Sequence, residues 1–301
     1  MKFSYWCTTS NPPDQIFGEA QLAADLGFRG LWAADHFMPN EPEPADGPVL
    51  ECFTMLAALA ARIPKLRIGS IVASNTHRNP AVLANMAATI DQISGGRMVL
   101  GIGAGWQANE HAAYGMQYGT FGERFDRLEE ACQIITSMFV NHRTTVSGRH
   151  YQVVDAPCDP KPVQTPLPVL IGGSGEKRTL DLVTRYAQEW NTWGVPDFLA
   201  AKGAVLDGHC ERLGRDPKSI HRTAATMLVI SADAAKLERF RSMDLGRPTM
   251  VGTPPEIVEI VHAYEAAGVD EIIIPGFSFA TPQLRERSLT LFAETVMPMF
   301  R

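Results

Sequence analysis

Four short polar stretches carry the side chains that could do chemistry. Asp35-His36-Phe37 follows an apolar run. Histidine is the side chain best suited to moving a proton near neutral pH, and an adjacent carboxylate can orient it. The same pair could instead serve only to shape a loop. Ser74-Asn75-Thr76-His77-Arg78-Asn79-Pro80 sets small hydrogen-bonding side chains and a cation before a helix start. Asn79 and Pro80 read as its N-cap and first-turn proline, which leaves Asn75, Thr76 and Arg78 unexplained. Leu100-Gly101-Ile102-Gly103-Ala104-Gly105-Trp106-Gln107-Ala108-Asn109-Glu110-His111 runs an apolar strand into a glycine corner, a tryptophan and a polar cluster. Gly172-Gly173-Ser174-Gly175-Glu176-Lys177-Arg178-Thr179 offers backbone amides, a helix N-terminus and two cations, a combination suited to a phosphate. The alternative there is a glycine-rich turn with solvated Lys and Arg.

The glycine corner resembles a dinucleotide fingerprint only at first sight. That loop needs a third glycine for close helix–strand packing, and Trp106 occupies the position. The glycines still allow unusual dihedrals and the close approach of a flat ligand to the main chain. No H-x-H or H-E-x-x-H pair, G-x-S-x-G elbow or strand-end lysine competes for the chemistry. His36, His77 and His111 lack any metal-ligand spacing, so no metal is expected.

The elements that must position these residues alternate along the chain. Strands are predicted at 3–7, 30–34, 66–73, 98–102, 169–171, 189–192, 222–230 and 271–274. Helices are predicted at 16–26, 52–62, 80–93, 122–139, 176–187, 198–213, 255–267 and 284–296. A polar, proline-rich loop follows the second strand, a hairpin spans 144–146 and 151–153 around Ser147-Gly148, and 231–253 is irregular. Eight strand–helix units without a composition break predict an α/β fold, a (β/α)8 TIM barrel with insertions after several strands, over residues 1–301 as one domain. In such barrels chemistry lies at the carboxyl ends of the strands, where all four stretches fall. A phosphate site after the fifth strand is unusual, since barrels commonly place it after the seventh and eighth.

Composition narrows the class of function. The chain is 45% hydrophobic and 20% charged with a net charge of −6, which argues against nucleic-acid or anionic-membrane partners. Its five cysteines are scattered without a C-x-x-C pair, as suits a reducing cytoplasm. Met1-Lys2-Phe3-Ser4-Tyr5-Trp6 turns polar too soon for a signal peptide, and no apolar run approaches the ~20 residues of a membrane span. A cytoplasmic protein acting on a small molecule is expected.

Over nearly its whole length the chain resembles the bacterial luciferase-like family of flavin and deazaflavin barrel enzymes. The resemblance rests on Leu31-Trp32-Ala33-Ala34-Asp35-His36-Phe37, on Arg78-Asn79-Pro80-Ala81-Val82-Leu83-Ala84 and on Gly95-Gly96-Arg97-Met98-Val99 continuing to Trp106. It rests also on Glu123-Arg124-Phe125-Asp126-Arg127-Leu128-Glu129-Glu130 and on Pro168-Val169-Leu170-Ile171-Gly172-Gly173 with Trp190-Asn191. In the deazaflavin branch it implies coenzyme F420 across the barrel mouth. The ring would lie near Asp35, His36, Asn75, Thr76, Gly105 and Trp106, and the phosphate against Gly172, Gly173, Ser174 and Gly175. Family members often carry a non-prolyl cis peptide in the third strand that supports the ring, and the matching place is Ser70-Ile71-Val72.

Gly105-Trp106 resembles the general F420-dependent oxidoreductases. The sugar-phosphate dehydrogenase branch has an acidic residue at Trp106 and a tryptophan where Asn40 stands, which argues against sugar-phosphate oxidation. The resemblance thus implies hydride transfer between F420 and a small organic substrate by a homodimer. His36 would donate or accept the proton with Asp35 as its electrostatic partner, and Trp106, Glu110 and His111 would contact substrate. The alternatives are an FMN-dependent monooxygenase using oxygen and a partner reductase, and a non-catalytic flavin- or deazaflavin-binding protein.

Overall fold

The computed structural model describes residues 1–40 and 46–300, so the loop expected after the second strand lies partly outside the described residues. The chain begins β1 (Lys2–Cys7), α1 (Pro13–Asp25), β2 (Gly30–Ala33) and α2 (Cys52–Arg62). It continues with β3 (Arg67–Ser70), β4 (Ala73–Ser74), α3 (Pro80–Ser94), β5 (Met98–Gly103), α4 (Ala108–Ala113) and α5 (Phe121–Val140). A hairpin of β6 (Thr144–Ser147) and β7 (Gln152–Ala156) precedes β8 (Val169–Gly172), α6 (Thr179–Tyr186), β9 (Glu189–Trp193) and α7 (Pro196–Leu213). The last part comprises β10 (His221–Ala225), β11 (Met227–Ile230), α8 (Glu238–Arg241), β12 (Thr249–Gly252), α9 (Pro254–Ala266), β13 (Glu271–Pro275) and α10 (Pro282–Thr295).

The main sheet runs β3-β2-β1-β13-β10-β9-β8-β5-β4 and closes where β3 pairs with β5, at Ile68 with Met98 and Gly69 with Val99. Every pair in it is parallel, and with β3 and β4 taken as one broken strand it is the predicted eight-stranded barrel. Strands of this kind are covered on both faces, which explains their continuous apolar runs. On β5, Leu100 and Ile102 face the helices while Val99 joins Trp32, Ile71, Leu170 and Ile273 inside the barrel. Gly101 is required by close approach, since a Cβ there would overlap the Ser70 carbonyl oxygen.

A buried polar cluster plugs the amino end of the barrel. Glu271 accepts hydrogen bonds from Ser4 Oγ at 2.5 Å and Arg29 at 3.1 Å, meets His221 Nε2 at 3.0 Å, and lies 3.7 Å from Arg67. Burial alone would raise its pKa, but His221 and the two arginines hold it at about 2. Arg67 also pairs with Glu189, tying the first half of the barrel to the second.

Four elements differ from expectation. The third strand breaks into β3 and β4 at a cis Ile71–Val72 peptide, inside the predicted Ser70-Ile71-Val72. The seventh divides because the Thr226 amide still bonds Ile273, after which β11 leaves the barrel and pairs in parallel with β12 from the irregular segment. Helix α6 begins at Thr179 rather than Glu176, and α4 was not anticipated. No helix among the described residues is long and apolar enough to cross a membrane.

Candidate active site

Asp35 follows β2 and is buried at 1% exposure. Arg78, at the start of α3, donates to its two oxygens at 2.7 and 3.0 Å, the Ser74 amide donates at 3.0 Å, and His77 Nδ1 lies 3.4 Å away. Burial pushes the carboxyl's pKa up, but His77 and the Arg78 guanidinium outweigh it and hold the group below the usual carboxylate range. Arg78 also pairs with Glu51, whose side chain caps α2. Asp35 therefore fastens the loop after β2 to the loop after β4.

That engagement corrects the expected Asp35–His36 pairing. His36 turns instead to Glu110 on α4, with Nδ1 3.1 Å from Glu110 Oε2. Glu110 is fully buried, and both of its oxygens are engaged. Oε1 accepts from the Phe37 amide and, at 3.3 Å, from the Met38 amide, while Oε2 also lies 3.4 Å from His77 Nε2. Burial works against its charge, but the His36 and His77 contacts and the Phe37 amide pull its pKa far down. Glu110 thus reaches a ligand through His36 and is not placed as the direct substrate contact expected of it. His36 Nε2 makes no hydrogen bond to any described residue, and the ring lies in the wall of a cleft.

The cleft encloses about 440 Å³ at the carboxyl ends of the strands. Its lining includes Ile71, Val72 and Ala73, Gly103 to Gln107, and Gly172, Gly173 and Asn191 to Trp193. Glycines seat Val72 there: a Cβ on Gly103 or Gly172 would sit 2.9 Å from the Val72 side chain. Gly105 has φ +82°, and a Cβ there would meet Ser74 Oγ at 2.6 Å and Thr76 Oγ1 at 2.7 Å. Trp106 stands 59% exposed at the mouth, edge-on to His36 with ring centroids 5.5 Å apart.

Several expected site residues lie behind the cleft. Ser70 Oγ donates to the Gly101 carbonyl at 2.7 Å and staples β3 to β5. Asn75 is buried, with Nδ2 3.5 Å from the Tyr151 hydroxyl. Thr76 Oγ1 meets His111 Nε2 at 2.5 Å, and His111 Nδ1 meets the Gln107 carbonyl at 2.7 Å, so both imidazole nitrogens are engaged away from the cleft. Burial and the neighbouring His77 lower the His111 pKa. The buried contact corrects the expectation that His111 touches substrate.

The glycine stretch after β8 keeps only part of its expected donor set. The Gly173 amide donates to the Asn191 carbonyl at 2.8 Å as part of the barrel ladder. Arg178 turns to Asp126 at 2.6 Å, and α6 starts beyond the stretch. Gly172 and Gly173 line the cleft, while Ser174 and Gly175 lie outside its lining. No group of three or more His, Cys, Asp or Glu among the described residues is placed to hold a metal ion.

The sequence reading missed part of the cleft lining. Trp6 lies near the end of β1 and Trp193 ends β9, with centroids 5.9 Å apart, and Phe277 packs on Trp6 at 5.5 Å. The Arg247 guanidinium lies over Trp193, 4.7 Å from the ring centroid, with no side-chain hydrogen bond or ion pair to any described residue. Strand ends flag Trp6 and Trp193 as candidates, but nothing in the irregular 231–253 segment singles out Arg247. The other arginine of the cleft, Arg124, donates to the Gly105 and Gly119 carbonyls at 3.1 and 3.0 Å and braces the corner. A larger apolar cavity of about 800 Å³ between β11 and α10 is lined by no histidine or carboxylate, so the smaller cleft is the candidate site.

Fold and cleft together define a (β/α)8-barrel protein with its binding site at the carboxyl ends of the strands. The chain belongs to the luciferase-like monooxygenase family, whose profile matches residues 1–245. It is 34% identical to an F420-dependent glucose-6-phosphate dehydrogenase of Amycolatopsis mediterranei, over 96% of this chain and 95% of that one. It is 28% identical to an F420-dependent hydroxymycolic acid dehydrogenase of Mycobacterium tuberculosis, over 86% of this chain and 71% of that one. Among solved structures, an F420-dependent secondary alcohol dehydrogenase in complex with an F420–acetone adduct superposes with a TM-score of 0.85 at 19% identity, covering 100% of both chains.

Proposed function

We propose that the protein is an F420-dependent oxidoreductase that transfers a hydride between coenzyme F420 and a small organic substrate. The observation that carries this reading is the cleft itself, a glycine-walled slot over Ile71-Val72-Ala73 with a carboxylate-held histidine at its side. The F420-dependent relatives that match nearly the whole chain support it. When bound, F420 supplies a ring carbon that gives or takes the hydride.

The residues present fit such a group. Gly103 and Gly172 let the Val72 side chain seat against the strand ends, and the cleft of about 440 Å³ that Ile71 and Val72 line has room for a planar ring. Ile71 and Val72 would carry the ring, Gly105 and Trp106 would border it, and Gly172, Gly173, Ser174 and Gly175 would receive the phosphate. Asp35, Ser70, Asn75 and Thr76 act from behind by holding the strand ends that shape the floor.

His36 handles the proton. With Nδ1 turned to Glu110, Nε2 is left to accept a hydroxyl proton from an alcohol substrate or to return one to a carbonyl product. The buried Glu110 carboxylate stabilises the imidazolium that forms. Trp106, Trp6 and Trp193 supply apolar walls, and Arg247 supplies a cation for an anionic part of the substrate. Trp106 and Asn40, replacing the acidic residue and tryptophan of the sugar-phosphate branch, favour a substrate other than a sugar phosphate. The reading includes residues 1–301 as one catalytic domain working as a cytoplasmic homodimer, with no nucleic-acid or membrane partner.

The test is titration of the purified protein with F420 and with FMN, followed by turnover with a panel of alcohols that includes glucose 6-phosphate. F420 is expected to bind at least about tenfold more tightly than FMN, a difference near 1.4 kcal/mol. Its absorbance should fall on addition of a productive alcohol. Preferential FMN binding with oxygen consumption in the presence of a flavin reductase would replace this reading by the monooxygenase one. Tight F420 binding that resists every donor and acceptor would leave a binding protein.

A further inference from the structure

His77 sits between the two carboxylates of the site. Nδ1 lies 3.4 Å from Asp35 Oδ2 and Nε2 lies 3.4 Å from Glu110 Oε2, with the side chain 1% exposed. Neither nitrogen meets hydrogen-bond geometry with any described residue, so the two carboxylates act on the ring through charge. A neutral imidazole carries one N–H and one lone pair, so in that form one carboxylate would face a lone pair in a dry site. Only the imidazolium presents an N–H toward both.

The charges around it agree. Asp35 already has the Arg78 guanidinium, which it shares with Glu51, whereas Glu110 contacts no arginine or lysine among the described residues. A buried carboxylate without a cation is strongly destabilising. His111, with its ring centroid 5.1 Å away, offers no charge because burial and His77 itself disfavour its protonation. Phe37 closes the remaining side at 4.9 Å. Burial pulls the His77 pKa down, but Asp35 and Glu110 outweigh it and raise the value. Asp35 and Glu110, both buried, are then faced by Arg78 and a protonated His77, while Glu51, which also pairs with Arg78, is about one-third open to solvent.

We propose that His77 is a positioning residue, held as an imidazolium between Asp35 and Glu110, that keeps Glu110 ionised and aimed at His36 Nδ1. Neutral His36 is thereby fixed as the Nδ1–H tautomer with a bare Nε2 toward the cleft. The functional meaning rests on the reading of His36 as the proton-transfer group, but the two imidazole states are measurable without substrate or cofactor.

The test is long-range proton–nitrogen NMR on full-length protein with 15N-labelled histidine between pH 6 and 8.5, assigned with the H36N and H77Q variants. Both His77 nitrogens should give protonated shifts throughout, and neutral His36 should be protonated at Nδ1. In H77Q, Glu110 loses the His77 cation, so neutral His36 should no longer be held as the Nδ1–H tautomer and should show both tautomers. The same variant should lose kcat by about tenfold with KM little changed, as a mere packing role would not produce. A wild-type His77 that titrates to neutrality in this range overturns the proposal, as does an H77Q variant in which His36 keeps the Nδ1–H tautomer. If H77Q does not fold, the wild-type His77 spectrum decides alone. If the imidazole states are as stated but H36N turns over normally, the functional reading fails and the charge assignment stands.

Discussion

Glu110 Oε2 stands 3.1 Å from His36 Nδ1, although 74 positions separate the two residues in the chain. On the proposed function the carboxylate orients the imidazole and stabilises its charged form. The Glu110→Gln substitution keeps the shape and removes the charge, so kcat for F420 reduction should fall by about 10². The F420 dissociation constant should stay within about threefold, or 0.65 kcal/mol, since Glu110 touches the ligand only through His36. Stopped-flow absorbance and equilibrium titration measure the two separately.

His36 itself lies in the cleft wall and does not anchor the core. His36→Asn should lower kcat by about 10²–10⁴. Urea unfolding should change by no more than about 0.5 kcal/mol, as for a substitution outside the packed core. A larger loss of stability with normal turnover would reverse the assigned role.

Asp35 has the opposite profile. Its buried pair with Arg78 holds two loops together, and Asp35→Asn leaves the guanidinium with Glu51 alone. Removing one partner of such a pair typically costs about 3–5 kcal/mol. Denaturant unfolding should show that loss, and the F420 affinity should fall with it as the cleft floor loosens.

Acid stability should follow the carboxylates that folding holds below their ordinary values. Glu271 titrates near 2 in the fold against an ordinary value of 4.5. The folded state therefore binds fewer protons than the unfolded chain between those values. Its contribution, on the order of 3 kcal/mol, is full above about pH 4.5 and is lost as pH falls toward 2. Asp35 adds to the same acid limb. Unfolding free energies measured from pH 6 to 2 should fall in that window, and Glu271→Gln should flatten the fall.

Arg247 has no hydrogen-bonded or ionic side-chain partner among the described residues, and its guanidinium lies over Trp193 at the cleft. Arg247→Leu should leave stability within about 0.5 kcal/mol. For alcohols bearing a carboxylate or phosphate, KM should rise by about 10–100-fold, the worth of one charge-assisted contact, while neutral alcohols are little affected. Equal effects on both kinds of substrate would remove the anion-binding role.

The sequence by itself determined what local rules control. Asn79 caps α3 through the Ala81 amide at 2.9 Å, Pro80 opens it and Gly95 ends it at φ +68°, because caps and left-handed ends depend on residues a few positions apart. Strand–helix alternation set the barrel for the same reason, and with it the end where Asp35, His36, Gly105, Trp106 and Gly173 gather.

Only the tertiary structure decided which charges pair. Asp35 turned to Arg78 rather than to its neighbour His36, and Glu110 came in from α4 to take that place. The Gly173 amide went to Asn191, and Arg178 to Asp126. Ion pairs and hydrogen bonds depend on distances of a few ångströms between loops far apart in sequence. The closed barrel sets those distances, and no pattern within any one loop encodes them. The same closure brings Trp6, Trp193 and Arg247 into one cleft with the histidine that the sequence had already marked.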